Sequence, residues 1–521
     1  MISKLLFKHK LTLLSALLTV LVFPKWNMPW LAFFCLIPLI IDLRSPNLNL
    51  KEAFIKGGLW GLIVMGLYHA WILELNAYGN KYAIALIWVG FSLYSSIFYA
   101  GVTALVKLLK SKLPIFILLP SAWVVFEWLR GLGPLGNTAG DLGYSQTAYL
   151  EILQLAGVGG IFFLSFFCVL INCLLSYLVP LRNKKTVFAL ISAAALFITV
   201  VIWGHFHMLS NTCYITPSLI GTAVIQGNHT QNQKLDKDNW PIIIHDYFQL
   251  SKQALAYDPD LIIWPETITP GLNINNPSFL GYLLWLTRTS KTTIVFGTPM
   301  QDAQHYYNSA VAAGPDGLLD AYYKKVKLMP FGEYLPMSTL YHFLGLGNWL
   351  SDVDYTSGKS GSKPFYFPLK PVTPPPIDNP THYGIFAGIK ICLESIYPWY
   401  FRKDVNNGAT LLIVLANNAW FHDSSAAEKH FQMSVLRAVE NNRYLIQAAN
   451  TGISGIVTNI GKPVIKTSLA KQSVSFTQIP ILTPISIYTR TGDWIVYLSL
   501  IILSLGVIVS ELFRFQHRRF K

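Results

Sequence analysis

At 521 residues the chain could hold two or three domains, yet only 13% of its residues are charged, 52% are hydrophobic and the mean hydropathy is +0.41, which excludes an ordinary soluble protein. The net charge of +14 does not mark a nucleic-acid binder either. Residues 217–490 hold 21 Lys or Arg against 18 Asp or Glu, so most of the basic excess lies in the apolar remainder.

In chain order the apolar runs predict eight membrane-crossing helices, at 5–23, 30–43, 54–76, 82–106, 114–129, 159–179, 187–207 and 494–513. A crossing takes roughly 20 residues, so the second and fifth are short. The basic start and apolar core of the first resemble a signal peptide, but no small-residue cleavage site follows, and a retained span is expected. With the N-terminus inside, the inner segments carry sixteen Lys or Arg, among them Lys8, Lys56, Lys110, Lys185 and Arg518, and the outer short loops carry three, Lys25, Lys81 and Arg130. Cytoplasmic loops hold the cationic excess. The predicted plan is a membrane domain of about seven spans over 1–210, a globular domain over 217–490 on the outer face, a transmembrane helix at 494–513 and a basic cytoplasmic tail at 514–521.

The globular part has short β-branched runs separated by helical patterns and turns, which predicts an α/β domain. Strands are expected at 220–226, 261–264, 293–297, 309–313, 388–392, 411–416 and 453–458, and helices at 240–256 and 427–445. Gly314-Pro315-Asp316-Gly317 is a strong turn signal. Residues 359–382 carry seven prolines and read as an irregular surface excursion. The stretches 268–280 and 341–360 read as candidate lids.

Three segments place a reactive side chain at a strand end. In LIIWPE (261–266) an apolar strand is closed by Pro265 and Glu266 emerges from it; a carboxylate in apolar surroundings suits proton transfer. In YYKKVKLMPFGE (322–333), Lys325 and Lys327 share one side of an extended chain and Lys324 takes the other, so one of them could face a pocket and stabilise an oxyanion. In GIKICLES (388–395), alternation sets Ile389 and Ile391 against Gly388, Lys390 and Cys392, and a strand-end cysteine is a candidate nucleophile. Each also has a plainer reading: a solvated loop glutamate, a solvated lysine face, a small core cysteine. Of the five cysteines, Cys35, Cys168 and Cys173 fall in predicted spans, Cys213 at a membrane exit, and only Cys392 well inside the globular region. Asn418 and Trp420, in NNAWF (417–421), follow a strand and are candidate substrate contacts. His422 and His430 lack a zinc-ligand spacing, and no phosphate loop or serine elbow occurs, so no metal or cofactor is expected.

In this order and spacing, WPE, the lysine eight residues before the glutamate of PFGE, and IC-x-E resemble the nitrilase superfamily of carbon–nitrogen hydrolases. The resemblance implies an α-β-β-α sandwich and a Glu-Lys-Cys triad at Glu266, Lys325 and Cys392, and it is this alignment, not strand parity, that selects Lys325. VIQGN (224–228), FGEYLP (331–336), HFQM (430–433), TRTGDW (489–494), EWLRG (127–131) and LGYSQ (142–146) extend the likeness over nearly the full chain, to the superfamily's membrane-embedded, lipoprotein-acylating branch. That likeness implies transfer of the sn-1 acyl chain of a phospholipid, through a thioester on Cys392, to the α-amine of a diacylglyceryl-cysteine on an apolipoprotein. It also implies a bacterial inner membrane, a periplasmic domain, cytoplasmic termini and action as a monomer, with Glu333 and Glu394 as supporting carboxylates that orient Lys325 or help position substrate. Leu235 and Leu393 stand where this branch often has aromatics. The competing expectations are a membrane-tethered amidase using water as acceptor, and a non-enzymatic membrane protein in which Glu74 and Glu127 would be the ionisable groups near span ends.

Overall fold

The computed structural model describes residues 8–178, 184–212, 219–272, 274–302, 304–319, 322–336, 355–359, 363–370 and 384–519. The chain divides into two compact units, Met1–Ser210 with Thr491–Lys521, and Asn211–Arg490.

The first unit is helical. Among the described residues Lys81–Leu109, Ala156–Leu178, Thr186–Asn211 and Trp494–Leu512 are long and apolar enough to cross a membrane, and Leu50–Tyr68 with Ala70–Ala77, bent by 42°, makes a fifth if counted as one span. This is fewer than the eight expected. The helix Lys10–Val22 has 13 residues and Ile115–Arg130 has 16, which at 1.5 Å per residue falls short of a ~30 Å hydrocarbon core. The run 30–43 is broken into Pro29–Phe33 and Ile37–Leu43, with Pro38 at the start of the second piece. Arg130, counted above as an outer-loop cation, is instead fully buried and paired with Asp141, which is also fully buried. Glu127, one turn earlier, accepts from Trp123 Nε1 at 2.8 Å and Leu142 N at 3.0 Å.

The second unit contains two mixed sheets. The first comprises β1 (Leu219–Gln226), β2 (Leu261–Ile263), β3 (Thr293–Gln301), β4 (Tyr306–Gly314), β5 (Gly317–Leu318), β6 (Tyr323–Lys324) and, from the far end of the unit, β13 (Ser473–Pro480). Its order is β13-β1-β2-β3-β4-β5, with β6 paired to β4. The second comprises β7 (Phe365–Pro368), β8 (Gly384–Ile391), β9 (Leu411–Ala416), β10 (Leu445–Ala449), β11 (Gly455–Val457) and β12 (Pro463–Lys466), in the order β12-β11-β10-β9-β8-β7. Each sheet is built around a parallel trio, β1-β2-β3 and β8-β9-β10. The crossovers within the trios carry the helices Trp240–Leu255, Pro277–Ser290, Pro398–Asn406 and Ala426–Asn441.

Period-two alternation sorts the side chains into two cores. Ile220, Val224, Leu261, Ile263 and Val295 from the first sheet pack with Ile385, Ile389, Ile391, Ile413 and Ile446 from the second. The alternate positions Ala223, Ile225, Ile262, Trp264 and Phe296 pack against Tyr247, Phe248, Phe279 and Leu283 of the helices.

Six predicted strands are observed with shifted ends and 411–416 as expected, while β5, β6, β7, β10, β12 and β13 have no predicted counterpart. The predicted helix 427–445 ends at Asn441, because Asn442 takes a left-handed φ of 52° and Leu445 opens β10. Within the proline-rich stretch 359–382, Phe365–Pro368 is a paired edge strand rather than an irregular excursion, and 371–382 lies outside the described residues. The candidate lid 341–360 lies mostly outside them as well, and 277–280 belongs to a helix.

Candidate active site

The carboxyl ends of parallel strands are where α/β folds place ligand-binding groups, and the predicted residues gather there. Glu266 follows β2, Cys392 follows β8, and Asn417 and Asn418 follow β9. Lys325 directly follows β6, whose antiparallel pairing with β4 sets Lys324 opposite Ser309 and so brings Lys325 beside Asn308. The Lys325 N–H donates to the Asn308 carbonyl at 2.8 Å.

Lys325 is 2% exposed, and its ammonium lies 2.9 Å from the Glu333 carboxylate and 3.3 Å from Glu266 Oε1. Asn308 Nδ2 bridges the same two carboxylates, at 2.8 Å to Glu266 and 2.7 Å to Glu333. Burial alone would strip Lys325 of its proton, but the Glu333 and Glu266 charges outweigh that and hold the ammonium well above the usual lysine range. Lys324 sits over the Tyr307 ring at 3.5 Å, and Lys327 is half-buried, 5.5 Å from the Tyr397 ring. Of the three lysines, Lys325 is the one that turns into the carboxylate pair.

Cys392 leaves the strand with φ of 49°, a left-handed conformation uncommon for a residue with a side chain. The turn moves its thiol off the Lys390 side expected from alternation and against the inter-sheet core beside Ile389 and Ile391. Lys390 stays on the outer face, paired with Asp404 at 2.6 Å. Thr267 (φ 43°) and Phe331 (φ 63°) are also left-handed, so such a kink falls in or directly after each of the three candidate segments. Burial pushes the Cys392 thiol well up, the Glu266 and Glu333 charges push it further, and Lys325 and the Asn417 backbone pull it down. The resting group is a thiol, and to act as a nucleophile it would need a nearby base to take its proton.

The supporting carboxylates do different jobs. Glu333 touches the Lys325 ammonium, whereas Glu394 does not orient it. Glu394 is fully buried and ties backbones together: its Oε1 accepts from Tyr323 Oη (2.7 Å), Val326 N (2.7 Å) and Lys327 N (3.0 Å), and its Oε2 from Ile391 N (2.8 Å). It therefore clamps the lysine segment to the cysteine segment. Asn418 is buried, its Nδ2 3.4 Å from His430 Nδ1, while Trp420 is half-buried in the turn Ala419–Phe421. His430 Nε2 lies 3.2 Å from the Cys392 carbonyl and 2.8 Å from Ser395 Oγ. Burial lowers its pKa to about 4, so it braces the cysteine turn as a neutral ring. Asn308 and Tyr323 carry no sequence signal beyond being polar in apolar strands, whereas His430 opens HFQM, one of the segments that carry the family likeness.

Gly297 fixes the Glu266 turn. Gly297 N donates to Pro265 O at 3.0 Å, and a Cβ there would fall 2.6 Å from Glu266 Cα and 2.5 Å from Thr267 N. Gly297→Ala is expected to displace Glu266 and cut turnover by about 10²-fold with the fold retained. The check is to compare reaction rates and circular dichroism of the two proteins.

Residues 222–484 match the carbon–nitrogen hydrolase family, which gives the class of the second unit. Residues 15–174 match the family described as the apolipoprotein N-acyltransferase N-terminal domain. Over 508 residues the chain is 30% identical to the apolipoprotein N-acyltransferase of Geobacter metallireducens, covering 93% of this chain and 92% of that one. It is 27% identical over 529 residues to that of Thermotoga maritima, covering 96% and 93%. Among solved structures it is similar to an amidase from Nesterenkonia sp. (TM-score 0.37, 16% identity, 53% of this chain and 97% of that one). The chain belongs to the apolipoprotein N-acyltransferase family, and is a membrane protein and an acyltransferase of the carbon–nitrogen hydrolase superfamily.

Proposed function

We propose that the chain transfers the sn-1 acyl chain of a phospholipid to the α-amine of the diacylglyceryl-cysteine of apolipoproteins, through a thioester on Cys392. The observation that carries this reading is the buried Lys325 ammonium held between Glu266 and Glu333, with the same charges acting on the Cys392 thiol.

Glu266 takes the thiol proton as Sγ attacks the ester carbonyl. The oxyanion forms beside Lys325 and the Asn417 backbone, in a water-poor setting where fixed donors are most effective. Collapse breaks the ester C–O bond, and the leaving lysophospholipid oxygen takes the proton from Glu266. The lipoprotein α-amine then attacks the thioester and gives Glu266 a proton. An amide forms, the C–S bond breaks, and Cys392 recovers its proton. Glu333 holds Lys325, and Glu394 fixes the spacing of the lysine and cysteine segments. Asn418 and Trp420 would border the acyl-chain path.

An α-β-β-α sandwich is supported by the shared inter-sheet core and the helix contacts on the first sheet's other face. The placing of 217–490 on the periplasmic side of a bacterial inner membrane, with both termini cytoplasmic, is supported by the loop charges. Two acyl-bearing substrates call for such an anchored enzyme, and nothing in the chemistry requires more than one copy of the chain.

The test is incubation of the full-length protein with phospholipid and a synthetic diacylated lipopeptide, with its α-amine free or acetylated. A triacylated product from the free amine alone is expected. Release of ammonia from small amides without lipopeptide acylation would instead establish a tethered amidase.

A further inference from the structure

Lys234 is 1% exposed, lies in the short helix Gln231–Leu235 after β1, and takes no part in the steps above. The one hydrogen bond of its side chain among the described residues runs from Nζ to the main-chain carbonyl of Glu266, at 3.5 Å. The lysine is locked in place by Trp240 Nε1, which donates to its carbonyl at 2.8 Å, and by the Thr230–Gln233 capping box around the helix start. A buried ammonium with so weak a partner is costly unless another charge offsets it. The groups facing it are few. Glu266 attracts it, and His229, whose own partner is Asp246 at 3.8 Å, is kept largely neutral by burial.

The charge pattern of the centre explains why a cation would be kept there. Glu266 and Glu333 bring two negative charges, and Lys325 answers only one. We infer that Lys234 is a second cation of the catalytic centre, a positioning residue that balances the second carboxylate and keeps Glu266 able to take the Cys392 proton. Burial draws the Lys234 pKa down to about 8 against the pull of Glu266, so the charge is present in the neutral range. The inference rests on Glu266 being the base of the proposed reaction.

The test is the rate of Cys392 alkylation by iodoacetamide as a function of pH, read on the Cys392 peptide by mass spectrometry in the full-length protein. Removing a nearby cation favours protonated carboxyl and thiol alike. Lys234→Met and Lys234→Gln are therefore each expected to lose about tenfold in rate below pH ~8, where the wild-type lysine carries its charge, with the difference closing at higher pH as that charge is lost. Lys234→Arg is expected to return most of it. A residue that merely fills space would change the rate by the same factor at every pH, so profiles of unchanged shape in both neutral variants would overturn the inference, whatever their absolute rates. Acyl transfer is measured on the same preparations. An alkylation profile of changed shape beside a wild type that never carries acyl label would contradict the transfer reading and leave the role of Lys234 standing.

Discussion

Lys325→Met is expected to lower acyl transfer by about 10³-fold and to destabilise the protein by about 3–5 kcal/mol. Both effects have one cause. Lys325 is buried with Glu266 at 3.3 Å and Glu333 at 2.9 Å, and Asn308 draws the two carboxylates together from the other side. Methionine fills the space but leaves two buried carboxylates with Asn308 as their shared donor. The oxyanion would also lose its cation. Because the variant's carboxylates then bind protons more tightly folded than unfolded, the stability deficit is expected to shrink as pH falls and to grow as pH rises. Lys325→Arg should rescue little, since a planar guanidinium cannot occupy the point between two carboxylates that an ammonium fills. Denaturant unfolding at several pH values, with transfer rates at one, checks both parts. Wild-type stability in the methionine variant would mean that the carboxylates do not need the lysine.

Glu266→Gln is expected to reduce acyl transfer by about 10²–10⁴-fold while making Cys392 more, not less, reactive toward iodoacetamide. The opposite signs follow from the charge acting on the thiol. The Glu266 carboxylate helps to push the Cys392 thiol upward, so glutamine lets it ionise more readily. Yet glutamine cannot accept the thiol or amine proton that the chemistry must move. Asn308 keeps a hydrogen-bond acceptor at the position of Glu266 Oε1, so the local structure has reason to persist. A parallel fall in both rates would point to structural disruption rather than loss of a base.

Two of the candidate site residues were legible because each sits just beyond a short apolar strand, where a reactive side chain breaks a strong pattern. Glu266 after LIIWP and Cys392 after GIKI are such cases. Strand parity failed where the backbone departs from extended geometry. β6 is only two residues long, so Lys325 and Lys327 do not share an environment, and the left-handed turn at Cys392 separates its side chain from that of Lys390. Asn308, Tyr323 and Lys234 could not be read locally, because their partners Glu266, Glu394 and again Glu266 lie 42, 71 and 32 residues away. β13 was missed for a related reason: it is held by eight register positions along β1, from the opposite end of the domain. In the helical unit, hydropathy found every long apolar helix, but it could not see the break between Phe33 and Ile37 or the burial of the Arg130–Asp141 pair.

The most direct test of the account is to incubate the purified protein with phospholipid labelled on the sn-1 acyl chain and compare wild type with Cys392→Ala for label retained covalently on the protein. The account predicts that only wild type retains hydroxylamine-labile label and that this label passes to a diacylated lipopeptide on chase. Equal labelling of the alanine variant, or none on wild type, would contradict a thioester on Cys392.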